Sequence, residues 1–116
     1  MNPLVATVVV IFAVIEDAVQ VLLVQRTAEP ERGRWALPGG RWDGREGMDA
    51  TASRKLVEET GAGGLYLEQL FTTSGLDREQ PGVAVAYFAL VDQARVRLRE
   101  GDEWPPRWQR VDALPE

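Results

Sequence analysis

Two aliphatic runs near the N-terminus, separated by a short polar turn, constrain the fold of this chain more than any other feature. Leu4–Ile15 is almost entirely aliphatic and rich in β-branched residues, and Val19–Val24 has the same character after the turn Glu16–Ala18. Such runs are typical of strands that are buried on both faces. Their close spacing predicts a β-hairpin, and we expect other elements to cover it.

One helix and several further strands are predicted after the hairpin. The helix is predicted over Met48–Thr60. Asp49 would place a negative charge in its first turn, where the helix dipole favours one, and Gly61 is a residue type at which helices commonly end. The segment Thr27–Gly47, rich in Gly and Pro, is predicted as a long loop, and such loops usually carry function. Further strands are predicted over Leu65–Thr73, Val83–Val91 and Arg107–Val111. We therefore expect one α+β domain with a mixed sheet over residues 1–116.

Charge and missing residue types exclude several classes of function. The 13 basic and 18 acidic side chains give a net charge of −5, which disfavours nucleic acid as a partner of this segment. The absence of Cys and His excludes thiolate and imidazole chemistry, so any metal would need oxygen ligands and would resemble Mg²⁺. The apolar N-terminal run is too short to span a bilayer, so we expect no membrane association and a cytoplasmic location.

The predicted helix carries a polar arc. At about 100° per residue, one side of the helix holds five polar side chains, namely Thr51, Arg54, Lys55, Glu58 and Glu59. The remaining side, expected to pack on the sheet, holds Ala52, Leu56, Val57 and Thr60. The arc alone would be an ordinary solvated face, in which Glu58 pairs with Arg54 and Glu59 with Lys55. The preceding Gly39-Gly40 favours a binding site instead, because glycine lets a ligand approach the backbone closely.

The spacing of loop and helix residues resembles a known signature. Over Gly40–Ala62 the chain matches the Nudix box at seven positions, namely Gly40, Glu46, Arg54, Leu56, Glu58, Glu59 and Gly61. The approach Trp35–Gly40 and the closing segment Trp108–Pro115 also look like this family, whose hydrolases act on nucleoside diphosphates linked to another moiety. The resemblance implies the Nudix fold, a mixed sheet sandwiched by helices. The chain stops where another helix could begin, so the C-terminal helix of that fold is expected to be missing.

Carried over position by position, the resemblance implies a metal site and an ion pair. Glu58 and Glu59 would bind Mg²⁺, or Mn²⁺ in its place, together with the backbone carbonyl of Gly39. Glu46 and Arg54 would form the pair that ties the loop to the helix. The implied reaction is attack of water on a pyrophosphate phosphorus, and the metal would draw charge from the phosphate oxygens.

An acidic turn before the last strand offers one more catalytic candidate. The family often places a metal-binding or water-orienting glutamate there, which makes Glu103 the first choice and Asp102 the second. A solvated acidic turn explains the same residues equally well.

Lys55 departs from the family pattern, which usually has a metal-binding glutamate at this position. Three consequences stay open. Lys55 could contact a substrate phosphate, it could pair with Glu59 and suppress catalysis, or the base could lie elsewhere so that only one metal ligand is lost. A lysine beside two carboxylates stays protonated, which excludes it as the general base.

The middle and later strands look like the branch of the family that handles ADP-ribose and related compounds. Four further residues are candidates for contacts with such a ligand: Arg26, Arg41 and Arg78 for phosphate oxygens, and Trp42 for stacking on a base. Core packing is the expectation for Trp35 and Tyr87.

These observations lead to two functional hypotheses. The first is a Mg²⁺-dependent pyrophosphohydrolase of an ADP-ribose-like compound or a nucleoside triphosphate, with activity reduced by Lys55. The second is an impaired Nudix domain that binds ADP-ribose or a related nucleotide as a sensor. A small nucleotide is the expected partner in both. Homodimers are common in the family, so the resemblance also implies a homodimer as one oligomeric state. No feature of the sequence locates an interface.

Overall fold

The computed structural model of the protein describes residues 4–29, 31–74, 82–101 and 103–115. In that part of the chain one α-helix, α1, spans Met48–Thr60. The strands are β1 (Leu4–Ile15), β2 (Ala18–Gln25), β3 (Trp35–Ala36), β4 (Gly39–Arg41), β5 (Glu68–Ser74), β6 (Gly82–Leu90) and β7 (Arg107–Arg110). Short 3₁₀ turns cover Gln93–Arg95 and Val111–Ala113.

The sheet is mixed and is organised around β1. The strand order is β3-β2-β1-β6-β5, in which β1 and β6 run parallel and the other pairs are antiparallel. The predicted hairpin of β1 and β2 is confirmed, and it pairs Phe12 with Val21 and Ile15 with Ala18. One helix on a mixed sheet confirms the predicted α+β class.

The core lies between α1 and one face of the sheet. Its buried members come from β1, β2, α1, β6 and the second residue after the end of α1, and they are Val9, Ile11, Leu22, Ala52, Leu56, Ala62, Val85, Tyr87 and Ala89. On β1 the buried residues alternate with half-buried ones, as expected for a strand whose two faces differ. Burial of Tyr87 agrees with the core packing predicted for it.

The second face of the sheet is not covered by an α-helix within the described residues. Val10, Phe12, Val21 and Leu23 there line a cavity of about 310 Å³, which the 3₁₀ turn at Val111–Ala113 borders. In the described part of the chain, no helix is long and apolar enough to cross a membrane.

Several sequence predictions differ from the structure in detail. The segment predicted as a loop over Thr27–Gly47 contains β3 and β4, two strands too short to show any alternation. The next strand begins at Glu68 rather than at Leu65. On α1, Thr51 is fully buried although it was placed on the polar arc, because its hydroxyl donates to Glu46 beneath the loop. Val57 is 46% exposed because it lies at the rim of the packed face.

Candidate functional site

The site forms where two strands share one edge of β1. β2 pairs with the second half of β1, at Phe12–Ile15, and β4 pairs with the first half, at Ala6–Val8. Because β6 occupies the opposite edge of β1, β2 and β4 must diverge along this edge. The divergence leaves space between the end of β2 and β4, and the C-terminal half of α1 lies beside it.

Gly39 brings the backbone of β4 close to both β1 and α1. Its φ is +148°, and a Cβ at this position would lie 2.1 Å from the carbonyl oxygen of Thr7. Only glycine fits without a shift of the backbone. The amide of Gly39 donates a hydrogen bond of 2.9 Å to Oε1 of Glu59, so the strand and the helix are joined at this point.

Glu59 is a half-buried carboxylate. Burial raises its pKa above the ordinary value, because desolvation disfavours the charged form. The hydrogen bond from Gly39 and the positive charges of Arg26 and Lys55 act in the opposite direction without cancelling the effect. The environment of Glu59 therefore raises the pKa of this carboxylate.

Arg54 joins the loop to the helix through two carboxylates. Its Nη2 lies 2.6 Å from Oε1 of Glu46, which Nε also contacts at 2.7 Å. Its Nη1 lies 3.0 Å from Oε1 of Glu58, one turn further along α1. The hydrogen bond to Glu46 is the largest cause that raises the pKa of Arg54, and the hydrogen bond to Glu58 is the next largest. The structure therefore contains the Glu46–Arg54 pair, and it adds Glu58 to that pair.

Lys55 lies across Gly40 and reaches towards Glu58. Its Cε would be 2.7 Å from a Cβ at Gly40, so the lysine stem occupies the space that a side chain at position 40 would fill. Its Nζ lies 3.8 Å from Oε2 of Glu58. The pair considered for Lys55 with Glu59 is thus formed with Glu58 instead, because Glu59 turns towards the amide of Gly39.

Arg99 stabilises the end of the helix that carries the two glutamates. Its guanidinium donates to the backbone carbonyls of Glu58 and Glu59, the latter at 3.1 Å. Its backbone amide donates to the carbonyl of Thr60 at 2.7 Å. The last turn of α1 has no basic residue of its own, and two acids at a helix C-terminus oppose the helix dipole. Arg99 supplies the missing positive charge from a distant segment.

Two clefts meet at Arg26. The larger has a volume of about 520 Å³, and it is bordered by both helix glutamates, by Arg99 and by Trp104. The smaller, of about 340 Å³, is bordered by Gly39, Gly40 and Arg41. Arg26 lines both clefts, so a ligand that extends from one to the other would pass its guanidinium.

The other predicted ligand contacts lie elsewhere. The indole N–H of Trp42 donates to the carbonyl of Glu46 at 2.6 Å, and its backbone amide donates to Val5. Trp42 fixes the loop and lines neither cleft, so the structure does not place it for stacking on a base. Glu103 is exposed and lines neither cleft either. Arg78 and Asp102 lie outside the described residues.

Sequence reasoning missed two residues of the larger cleft, Arg99 and Trp104. The guanidinium of Arg32 lies 5.5 Å from the centre of the Trp104 ring, which connects the segment after β2 with the segment before β7 across the cleft. No local pattern marks either residue. The only signal was that an isolated Trp stood beside the acidic turn at Glu103.

The donor set of the site does not fit a divalent cation in this arrangement. No group of three or more Asp or Glu side chains is close enough to share a metal, as far as the described residues go. The oxygens of Glu58 face Arg54 and Lys55, and one oxygen of Glu59 accepts from Gly39. Hard cations such as Mg²⁺ require several oxygen ligands, and here most of these oxygens are engaged by protein donors.

Comparison with known proteins identifies the family. The family model of the NUDIX domain matches residues 5–116. The chain belongs to the NUDIX domain family. Its Nudix fold agrees with a solved structure, that of the NUDIX domain of Shewanella oneidensis NrtR complexed with ADP ribose. The TM-score is 0.82 and the identity 31%, over 97% of this chain and 75% of that one.

Two curated relatives of this NUDIX domain have different activities. The chain is 38% identical over 111 residues to the ADPR responsive transcriptional repressor NtrR of Acinetobacter baylyi, which covers 89% of the chain and 44% of the repressor. It is 30% identical over 95 residues to an ADP-ribose pyrophosphatase of Methanocaldococcus jannaschii, which covers 82% of the chain and 56% of the enzyme. The chain thus spans about half the length of the curated relatives it matches.

Proposed function

We propose that this NUDIX domain binds ADP-ribose or a closely related nucleoside diphosphate derivative as a sensor. The observation that carries the proposal is the state of Glu58, which pairs with Arg54 and with Lys55 at the edge of the cleft. Because the oxygens of Glu58 already face two cationic side chains, they are not available to a metal ion, and this favours ligand binding over metal-assisted cleavage. The similarity to an ADPR responsive repressor supports the same ligand class.

The larger cleft has the chemistry that such a ligand needs. Its volume of about 520 Å³ falls within the usual range for small-molecule sites. Arg26 can hold two phosphate oxygens, because a guanidinium presents a planar pair of donors. Trp104 adds an aromatic surface for a base or a sugar face. We assign the diphosphate to the neighbourhood of Arg26, where the two clefts meet.

Calorimetry combined with product analysis tests this proposal. Purified protein is titrated with ADP-ribose, and the same mixture is followed by chromatography for release of AMP over several hours. We expect saturable binding of one ligand per chain and no AMP. AMP and dATP serve as comparison ligands and should bind at least tenfold more weakly. Absence of heat with all three nucleotides would contradict a nucleotide-binding role.

Hydrolysis of the same ligand is a second candidate function. It is supported by the position of Glu58 and Glu59, which both border the larger cleft, and by the similarity to an ADP-ribose pyrophosphatase. Glu58 and Glu59, with the carbonyl of Gly39, would have to hold Mg²⁺ or Mn²⁺, and Glu58 would first have to leave Arg54. Release of AMP that depends on added Mg²⁺, and that is lost in Glu59→Gln, would favour this candidate over the sensor.

We also infer that this segment binds its ligand without contacting DNA. The relative of known function is a transcriptional repressor more than twice as long as the matched region, and the net charge of the present chain is −5. An excess of negative charge opposes binding to a phosphate backbone. An electrophoretic mobility assay with duplex DNA should show no shift for this segment at about 100 mM salt.

A further inference from the structure

We propose that Lys55 takes the electrostatic role that a divalent cation would otherwise have at this site, so that the diphosphate ligand binds without metal. The inference rests on the proposed function and adds a statement about cofactor dependence to it. Its starting observation is that the carboxylate oxygens of Glu58 and Glu59 are engaged by protein donors, whereas a hard cation requires several oxygen ligands.

The space for the ammonium group is created by Gly40. The Cγ, Cδ and Cε atoms of Lys55 lie 3.3, 3.0 and 2.7 Å from the position that a Cβ at residue 40 would take. The stem of Lys55 therefore packs flat on the backbone of β4, where any other residue would push it aside. This packing directs Nζ towards Glu58 rather than towards bulk solvent, and the side chain is only 32% exposed.

Apart from Arg99, whose guanidinium contacts backbone carbonyls, the side-chain charges around the two helix glutamates are already balanced. Glu46, Glu58 and Glu59 contribute three negative charges, and Arg26, Arg54 and Lys55 contribute three positive ones. A divalent cation would add two positive charges beside an ammonium group, and like charges at this range repel strongly. A glutamate at position 55 would reverse the balance to two excess negative charges, which is the condition that attracts a divalent cation.

Access for an anion remains open. Arg26 lines both clefts, and Arg99 borders the larger one. Lys55 lies between Gly40, at the border of the smaller cleft, and Glu58, at the border of the larger cleft. Lys55 lines neither cleft itself, but its charge and that of Arg26 both act on Glu59, which borders the larger cleft. A diphosphate held near Arg26 would therefore lie in the positive field of both side chains without a metal ion.

The test compares ADP-ribose binding in EDTA with binding in excess Mg²⁺. Calorimetry on the wild-type protein should give dissociation constants that agree within twofold in the two buffers. Binding that is more than tenfold tighter in Mg²⁺ would overturn the metal-independence while leaving the proposed function intact. No binding in either buffer would overturn the proposed function itself, and the inference with it.

A charge reversal at Lys55 gives the second arm. Lys55→Glu should lose at least tenfold in affinity in EDTA and recover most of it in Mg²⁺ or Mn²⁺. If Lys55→Glu fails to fold, Lys55→Met keeps the packing on Gly40 and should lose about fivefold in both buffers. Arg95→Met is the matched control, because Arg95 pairs with Asp92 rather than with a glutamate that borders a cleft. Equal affinity of wild type and Lys55→Glu in EDTA would contradict the inference.

Discussion

The backbone amide of Gly39 donates a hydrogen bond of 2.9 Å to Oε1 of Glu59, across 20 residues of sequence. This bond connects the loop strand β4 to the last turn of α1. It draws Glu59 into a half-buried position, whereas its neighbour Glu58 stays exposed and pairs with cations. Two adjacent carboxylates of one motif thus have different environments.

Glu59→Gln should raise the thermal stability of the protein at pH 7. Burial raises the pKa of Glu59 in the folded state above the ordinary value of 4.5 that applies to the unfolded chain. The ionised carboxylate therefore costs folding free energy above the folded-state pKa, and below 4.5 it is protonated in both states and costs nothing. Glutamine removes the cost and can still accept the hydrogen bond from Gly39.

Thermal unfolding of the two proteins between about pH 4 and pH 8 checks this prediction; that interval covers the usual range of about 5 to 8 for maximal stability. The advantage of Glu59→Gln should be largest near neutral pH and should shrink as the pH falls through the raised pKa. Glu58→Gln is the matched control, because it removes the same charge from an exposed neighbouring position. If the difference in thermal stability between wild type and Glu59→Gln did not change with pH, burial would not destabilise the ionised carboxylate of Glu59.

Gly39→Ala should destabilise the fold strongly. The added Cβ would lie 2.1 Å from a backbone oxygen of β1, so β4 would have to move away from β1 and from Glu59. We expect a loss of about 3 kcal/mol in the free energy of unfolding. Gly63→Ala is the control, since its Cβ would make an ordinary contact of 3.4 Å with Val57. Urea denaturation of both variants measures the difference, and equal midpoints would contradict the close approach at Gly39.

Arg99→Met should weaken the C-terminal end of α1. It removes the charged donor to the carbonyls of Glu58 and Glu59 while keeping most of the side-chain volume. Hydrogen bonds and helix-dipole interactions of this kind contribute about 1 kcal/mol. Hydrogen exchange at the last turn of α1 should accelerate about fivefold, which is the same free energy expressed as a rate. Arg97→Met, at an exposed position two residues earlier, should leave the exchange unchanged.

Regular elements were predictable from sequence because their signals are local. The helix limits Met48–Thr60 follow from residues at its own ends, and the β1–β2 hairpin follows from two apolar runs that adjoin one turn. The short strands β3 and β4 were not predictable. β4 forms because β1 offers it a free edge, and β3 forms along β2; two or three residues are too few to show a period of two.

The site was predictable only as far as the motif reaches. The spacing from Gly40 to Gly61 indicated the loop, the helix and the pair of Glu46 with Arg54. It could not indicate Arg99 or Trp104, which reach the site from some 40 residues further along the chain. Nor could it show that Trp42 is used inside the loop, because its partner is a backbone carbonyl and carbonyls carry no sequence signal.

Trp104 and Trp42 should therefore respond differently to substitution. Trp104→Ala removes the aromatic border of the larger cleft and should weaken ADP-ribose binding about tenfold, in line with the energy of ring stacking in other sites. Trp42→Phe removes only the hydrogen bond to the carbonyl of Glu46, so it should cost about 1 kcal/mol of stability and leave affinity unchanged. Calorimetry and thermal unfolding on both variants separate the two effects. A tenfold loss of affinity in Trp42→Phe with none in Trp104→Ala would place the ring subsite at the loop, against the cleft described above.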